Sequence, residues 1–263
     1  MEILNRNTSS TSVRAIIFDF DGTLSTLRCG WENVMRPLML ECIGMGTVTP
    51  ELESEVDAYI NESTGIQTIF QMKWLANRVV SAGGPEKDPW EYKAEYNKRL
   101  MDKISAERDA LEAGTMPRDL KLMLGSEAFL QALTARGVKL FAASGTDDAD
   151  VRREASALGM AEYFTEIAGA PVGVESCSKE AVLRRLLNES GYSGESLAVI
   201  GDGKVEIALG KASGARALGI ASNEEARCGI NEVKRQRLIQ AGADAIIGDF
   251  SELNAILSWL GLN

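Results

Sequence analysis

The sequence of 263 residues predicts an α/β fold, in which a parallel β-sheet forms the core and a helical segment is inserted after the first strand. From residue 125 onwards, segments with helix character alternate with segments with strand character, which is typical of parallel strands joined by right-handed crossovers. Residues 25–124 show no good strand pattern and instead repeat apolar residues at helical spacing. These patterns predict a core domain of residues 1–24 and 125–263 and a helical domain of residues 25–124.

The first strand and the helices of the insertion follow from local signals. An apolar, β-branched run at residues 13–18 predicts a buried strand, and Gly22 marks its end. Thr49 and Pro50 are a plausible N-cap and first-turn proline, and a Gly-Gly-Pro sequence at 83–85 ends another helix. Helices are therefore predicted over residues 32–42, 51–60 and 68–81, followed by two helices within residues 89–113.

The remainder of the chain repeats the two kinds of element, and glycines mark the ends of several helices. Strands are predicted at residues 138–143, 166–169, 196–200, 215–220 and 244–247. Helices are predicted at residues 127–136, 147–158, 179–189, 205–213, 231–240 and 252–260. Such an order builds one continuous parallel sheet.

Composition and charge exclude several classes of protein. A formal net charge of −10 argues against general binding to nucleic acids or anionic membranes, which clustered lysine and arginine would mediate. We find no apolar run long enough to span a membrane and no signal-peptide pattern at the polar N-terminus. The four cysteines form no C-x-x-C pair, so we expect a reduced, cytoplasmic protein. As a separate expectation, the protein is a monomer or a homodimer.

The chain contains no histidine, which limits its possible chemistry. This absence excludes Ser-His-Asp hydrolases, Cys-His proteases and zinc sites that depend on histidine ligands. Any catalysis must therefore use carboxylates, lysine, hydroxyl groups or cysteine.

The most informative segment is Asp19-Phe20-Asp21-Gly22-Thr23-Leu24, directly after the first strand. Ligands of open α/β sheets bind at the carboxyl ends of the strands. A carboxylate there can act as a nucleophile or hold a hard cation, and a second one can transfer protons. Taken alone, the segment could equally be an Asp-rich turn.

Three further signals follow at or near later strand ends. Ser144, Gly145 and Thr146 offer a hydroxyl and backbone N–H groups before a helix, which favours anion binding, although a simple turn would look the same. Lys179 opens a helix where the helix dipole disfavours a cation, so it is either a surface lysine or a functional one. Gly-Asp-Gly-Lys-Val-Glu at 201–206 places two carboxylates across a strand end, or simply caps a helix.

In this order, D-x-D-G-T, serine, lysine and G-D-x-x-x-E, the sequence resembles the haloacid dehalogenase (HAD) superfamily, of the phosphoglycolate phosphatase-like kind. The resemblance covers residues 13–24 and 125–250 and implies a Rossmann-like core, in which the insertion is a type-1 helical cap domain. The dehalogenases of this superfamily lack a carboxylate at the position of Asp21, because a halide leaving group needs no protonation, so the presence of Asp21 favours phosphate chemistry.

The resemblance also implies roles for the first pair of carboxylates and their metal. Asp19 would be the nucleophile that forms an aspartyl-phosphate, and Asp21 would be the general acid and then the base for water. Mg²⁺ would be held by Asp19, the backbone carbonyl of Asp21 and Asp202.

The remaining motif residues would bind and orient the phosphoryl group. Ser144 and the N–H groups near it, such as that of Gly145, would contact the phosphoryl oxygens, and Lys179 would neutralise them and orient Asp19. Glu206 would orient Lys179 or a water molecule at the metal. It stands where many relatives have aspartate.

Substrate selection is assigned to the cap, with Arg28, Trp31 and Gln67 as candidate contacts. Their ordinary alternatives are a surface cation, a core aromatic and a solvated loop amide. No pattern in the cap names a substrate.

The leading function is a Mg²⁺-dependent phosphomonoesterase that acts on a small phosphorylated metabolite. One alternative is a phosphomutase of the β-phosphoglucomutase kind, although such relatives typically have a histidine after the first motif and this chain has none. Another is a non-catalytic phosphate-binding regulatory module, which would not need the acid/base carboxylate.

Overall fold

The core of the molecule is a seven-stranded sheet with the strand order β1-β7-β6-β5-β2-β3-β4. The computed structural model describes residues 1–5, 11–175, 178–188 and 191–263. The strands are β1 (Glu2–Ile3), β2 (Ala15–Phe18), β3 (Lys139–Asp147), β4 (Glu166–Ala170), β5 (Leu197–Gly201), β6 (Arg216–Ile220) and β7 (Ala245–Ile247). All neighbours pair in parallel except β1, which is antiparallel to β7. The predicted α/β fold with a parallel core is therefore confirmed.

Helices join the strands and also form the insertion. The insertion contains α1 (Glu32–Gly44), α2 (Pro50–Glu62), α3 (Thr68–Ser81) and α4 (Pro89–Glu112). The helices of the sheet are α5 (Ser126–Ala135), α6 (Asp148–Ala157), α7 (Ser178–Asn188), α8 (Lys204–Ala212), α9 (Glu232–Gln240) and α10 (Leu253–Trp259). None of the helices among the described residues combines the length and the apolar character that crossing a bilayer requires.

Residues 89–112 form one helix, so the prediction of two helices in this segment was wrong. Asp88 caps α4 by accepting a hydrogen bond from the Trp90 N–H, and Pro89 fits the first turn. Neither glycine nor proline follows within the helix. Buried residues recur every fourth position from Tyr92 to Ile104, so a single apolar stripe continues along the helix.

Strand β3 extends to Asp147, beyond the predicted end at residue 143. Its pairing with β4 shifts register between Ala143 and Asp147, which is the mark of a β-bulge or a similar irregularity. The irregular segment contains Ser144, Gly145 and Thr146. It therefore carries these three residues at the carboxyl edge of the sheet.

The hydrophobic cluster of the insertion is separate from those of the sheet. One cluster is built by residues between Met35 and Ile104 of the insertion. The sheet has its own clusters, and Leu27, Leu111 and Leu122 from the ends of the insertion pack with one of them. The division into a core domain and a cap domain of residues 25–124 remains a prediction, and we propose it on this packing.

Candidate active site

Asp19 and Asp202 lie side by side because their strands are neighbours in the sheet. Strand β2 pairs with β5 so that Phe18 is opposite Ile200, and the Asp19 N–H donates to the Ile200 carbonyl at 2.8 Å. Asp19 and Asp202 are both buried. Gly22 has φ of +73°, and a side-chain carbon there would lie 2.5 Å from Asp202 Oδ2, so the turn requires glycine.

Lys179 joins the first and last motifs at the centre of the site. Its Nζ lies 3.0 Å from Asp19 Oδ1 and donates to Glu206 Oε2 at 2.8 Å. Burial works to lower the pKa of Lys179, but Asp19 and Glu206 outweigh it and raise that pKa. The lysine therefore stays charged although it is buried.

Glu206 both caps helix α8 and contacts Lys179. Its Oε1 accepts a hydrogen bond from the Gly203 N–H at 2.6 Å, which caps the first turn of α8. Its Oε2 is engaged by Lys179. With both oxygens occupied, Glu206 fixes Lys179 against Asp19.

Asp19, Asp202 and Glu206 form a candidate metal group, in which one oxygen from each lies within 4.8 Å of the others. Burial raises the pKa of Asp19 well above its ordinary value, Lys179 opposes this rise, and the carboxylates of Glu206, Asp202 and Asp21 add to it. Buried carboxylate oxygens that repel one another suit a hard divalent cation such as Mg²⁺. Asp19 and Asp202, the two members of this group that the sequence predicts as ligands, stay the proposed donors.

Residues at the irregular end of β3 hold Asp21 in position. Its Oδ2 accepts hydrogen bonds from Thr146 Oγ1 at 2.8 Å and from Ser144 Oγ at 3.3 Å. Its Oδ1 is buried and accepts no hydrogen bond from the described part of the chain, and Arg28 Nε lies 3.8 Å from it. An unengaged carboxylate oxygen can exchange a proton with a bound substrate.

A cavity of about 100 Å³ lies between the sheet edge and the cap. The sheet side contributes Asp19, Asp21, Ser144, Gly145, Lys179, Asp202 and Glu224, and the cap side contributes Arg28, Trp31, Thr68, Gln71 and Tyr96. The cap approaches closely, since a side-chain carbon at Gly145 would lie 3.0 Å from the Ile66 carbonyl oxygen. The predicted motif residues thus line one cavity, except Glu206, which contacts Lys179 from outside this lining.

Of the three proposed specificity residues, two line the cavity and one does not. Arg28 lines the cavity, but its Nε and Nη2 donate to the two oxygens of Glu154 at 3.0 and 2.7 Å. Trp31 lines the cavity and packs on the cap cluster. Gln67 lies outside the lining of this cavity, and its Nε2 donates to the Val174 carbonyl at 3.4 Å. Their roles in substrate selection stay predictions.

Sequence reasoning did not single out Gln71 or Tyr96 as site residues, and it named Thr146 only as part of the predicted anion-binding segment and not as a partner of Asp21. Gln71 is a buried polar residue on the apolar stripe of α3, and this mismatch was the signal that could have found it. Tyr96 lies on the apolar stripe of α4 and looks like an ordinary core residue in the sequence.

Lys234 and Glu224 were missed as well. Lys234 Nζ lies 2.7 Å from Asp202 Oδ2 and 2.6 Å from Glu224 Oε1. Burial works to raise the pKa of Asp202, but Lys234, with Arg237 and Lys179, outweighs it and lowers that pKa. The signal in the sequence was a cation in the first turn of a helix, where the dipole disfavours it.

Comparison with known proteins shows which family the chain belongs to. Residues 13–214 match the model of the haloacid dehalogenase-like hydrolases. The chain is 24% identical over 248 residues to a phosphoglycolate phosphatase from Rhodospirillum rubrum, covering 94% of this chain and 91% of that one. It is 23% identical over 205 residues to a 5'-nucleotidase from Pseudomonas aeruginosa, and this match covers 78% of this chain and 81% of that one.

A solved structure shares the fold. The crystal structure of a β-phosphoglucomutase from Clostridium difficile superposes with a TM-score of 0.62 at 15% identity, over 94% of this chain and 97% of that one. The chain therefore belongs to the haloacid dehalogenase-like hydrolase family, as the sequence predicts. It is an enzyme of the phosphatase type within that family.

Proposed function

We propose that the protein is a Mg²⁺-dependent phosphomonoesterase that hydrolyses a small phosphorylated metabolite through a phosphoryl group on Asp19. The observation that carries this proposal is that Asp19 lies 3.0 Å from Lys179 and close to the carboxylate of Asp202, and that Asp21 lines the same cavity. A nucleophile, a fixed cation and an acid/base group thus face one small space.

The first step transfers the phosphoryl group to the carboxylate of Asp19. Lys179 holds that carboxylate in position and offsets the negative charge of the phosphoryl oxygens. Ser144 and the Gly145 N–H, at the bulged strand end, are the donors for the remaining oxygens. Mg²⁺, which Asp19 and Asp202 would hold with the backbone carbonyl of Asp21, would supply further charge neutralisation and orientation.

Asp21 transfers the protons in both steps. Thr146 and Ser144 hold one of its oxygens, which fixes the carboxylate, and the other oxygen accepts no hydrogen bond from the described residues. In the first step it protonates the leaving oxygen of the substrate. In the second step the resulting carboxylate takes a proton from the water that attacks the phosphoryl group on Asp19.

The cavity favours a small substrate. Its volume of about 100 Å³ is well below the roughly 300–1,000 Å³ of pockets that enclose drug-sized ligands. A phosphate group with a few further heavy atoms fits this space better than a nucleotide does. Phosphoglycolate, named for one relative, is therefore the first compound to test.

The mutase alternative has weaker support. Similarity to a β-phosphoglucomutase at 15% identity shows the fold alone. This chain contains no histidine, whereas the mutases that it resembles typically have one after the first motif. We therefore favour transfer of the phosphoryl group to water.

Hydrolysis of p-nitrophenyl phosphate tests the proposal. We expect activity with Mg²⁺, no activity after EDTA treatment, and recovery when Mg²⁺ is restored. Asp19→Asn should abolish activity, whereas Asp102→Asn, a matched change on the exposed face of α4, should leave it unchanged. Full activity of Asp19→Asn or of the EDTA-treated enzyme would overturn the proposal. If the expected results are obtained, a panel of phosphorylated metabolites ranked by kcat/KM identifies the substrate.

A further inference from the structure

Lys234 is a buried lysine beside the candidate metal site that the motifs do not include. It is 8% exposed, and its Nζ donates to Asp202 Oδ2 at 2.7 Å, to Glu224 Oε1 at 2.6 Å and to Ser222 Oγ at 3.0 Å. Three oxygen partners satisfy the three protons of the ammonium group. The side chain is therefore fixed.

The position of Lys234 in its helix indicates that these contacts matter. Asn231 caps α9 by accepting hydrogen bonds from the N–H groups of Val233 and Lys234, so Lys234 lies in the first turn. A cation there is opposed by the helix dipole and by the cost of burial. The carboxylates of Asp202 and Glu224 must outweigh both effects.

Lys234 also connects to the turn that carries the first motif. Ser222 Oγ accepts from Lys234 and donates to the Gly22 carbonyl at 2.6 Å. Gly22 directly follows Asp21, and a side-chain carbon built on Gly22 would lie 2.5 Å from Asp202 Oδ2 and 3.2 Å from Glu224 Oε1. The ammonium group is thus built into the same wall of the cavity as the candidate metal donors.

The charges of this wall explain what the lysine does. Asp19, Asp202, Glu206 and Glu224 bring four buried or nearly buried carboxylates together, against the ammonium groups of Lys179 and Lys234. Among these six groups, full ionisation leaves two negative charges, which match the charge of a single divalent ion; Asp21, Arg28 and Arg237, which are also near the site, are not included in this count. Without Lys234 the same wall would attract the cation more strongly and repel a phosphate dianion more strongly.

We propose that Lys234 is a positioning residue that supplies a built-in positive charge beside Asp202 and Glu224, weakening Mg²⁺ binding and strengthening phosphate binding. This inference rests on the proposed phosphatase function. A purely structural role predicts a different result, because loss of structure would weaken the binding of both Mg²⁺ and phosphate. The proposed role predicts that loss of Lys234 strengthens the binding of Mg²⁺ and weakens that of phosphate.

Calorimetric titration of the full-length protein tests the proposal with Mg²⁺ and inorganic phosphate as probes. Mg²⁺ is added to the EDTA-treated protein, and phosphate is added at an Mg²⁺ concentration that saturates each variant. In Lys234→Met we expect Mg²⁺ to bind at least about fivefold more tightly and phosphate at least about fivefold more weakly. Lys211→Met removes a lysine paired with Asp244, away from the cavity, and is the matched control.

Glu224→Gln makes the opposite change in charge and does not depend on the folding of the lysine variant. We expect weaker Mg²⁺ binding and tighter phosphate binding in this variant. The double variant Lys234→Met/Glu224→Gln restores the net charge, so both affinities should return to within about threefold of the native protein.

Two results would overturn the proposal. One is Mg²⁺ binding to Lys234→Met that is unchanged or weaker, and the other is Glu224→Gln with unchanged affinities for both probes. Failure of the native protein to bind Mg²⁺ at all would count against the phosphatase function itself. Normal Mg²⁺ and phosphate binding by the native protein, with no response in the variants, would reject only the role of Lys234.

Discussion

Replacing Arg28 by methionine should destabilise the protein because it leaves a buried carboxylate without its partner. Glu154 is 0% exposed, and both of its oxygens accept hydrogen bonds from Arg28, at 3.0 and 2.7 Å. Breaking a buried ion pair by removal of one member typically costs about 3–5 kcal/mol of unfolding free energy. Methionine keeps much of the side-chain length and packing, so the loss reports mainly the charge.

The cost of Arg28→Met should depend on pH. Burial already raises the pKa of Glu154 above its ordinary value, although Arg28 opposes this rise. Without Arg28 the pKa rises further, so the folded state binds a proton more strongly than the unfolded state does. The stability of the variant should therefore fall as pH increases above the ordinary range of glutamate, by up to about 1.4 kcal/mol per pH unit.

Urea unfolding, followed by far-UV circular dichroism and tryptophan fluorescence, measures this cost between pH 5 and pH 8. The double variant Arg28→Met/Glu154→Leu removes both charges and should regain most of the lost stability. A cost below about 1 kcal/mol at pH 8, or no recovery in the double variant, would refute the reasoning. If the double variant is stable and has an unchanged KM, Arg28 does not contact the substrate.

Three further changes test other parts of the site. Gly22→Ala places a side chain at a φ of +73° and close to Asp202, so it should lower both the urea midpoint and the rate of p-nitrophenyl phosphate hydrolysis. A fully active variant would contradict this expectation. Thr146→Val removes the hydrogen bond of 2.8 Å to Asp21, so kcat should fall about tenfold with little change in KM and a shifted pH–rate profile, and an unchanged profile would contradict it. Mg²⁺ should raise the thermal midpoint of the native protein and raise that of Asp202→Asn much less, as differential scanning fluorimetry can show, whereas equal shifts would exclude Asp202 as a ligand.

Much of the fold could be predicted because its signals are local. Apolar runs, glycines and helix caps lie within a few residues of the elements that they define, as Thr49 and the N-terminus of α2 show. Strand β1 gave no such signal, since Glu2–Ile3 is a two-residue edge strand that exists only through its pairing with β7. The sequence predicts two helices where the structure has the single helix α4, because the many charged residues of this helix obscure its continuous apolar stripe.

The candidate site could be predicted where motif residues follow strand ends, and less well where contacts join distant parts of the chain. Asp19 and Asp202 were found because each directly follows a strand, and Lys179 was found because it lies in the first turn of α7. The partner of Arg28 is Glu154, which is separated from it by 126 positions, and nothing in the local sequence links them. Lys234 likewise acquires its partners only through tertiary packing.

The most direct test of the account is to trap the phosphoryl group on Asp19. Asp21→Asn should still accept a phosphoryl group from p-nitrophenyl phosphate, whose leaving group needs little protonation, but should release it slowly because the base for water is missing. After acid quenching and proteolysis, mass spectrometry should find one phosphoryl group on the peptide that contains Asp19, sensitive to hydroxylamine and absent in Asp19→Asn/Asp21→Asn. Steady release of phosphate with no modified peptide, or modification of another residue, would contradict the role of Asp19.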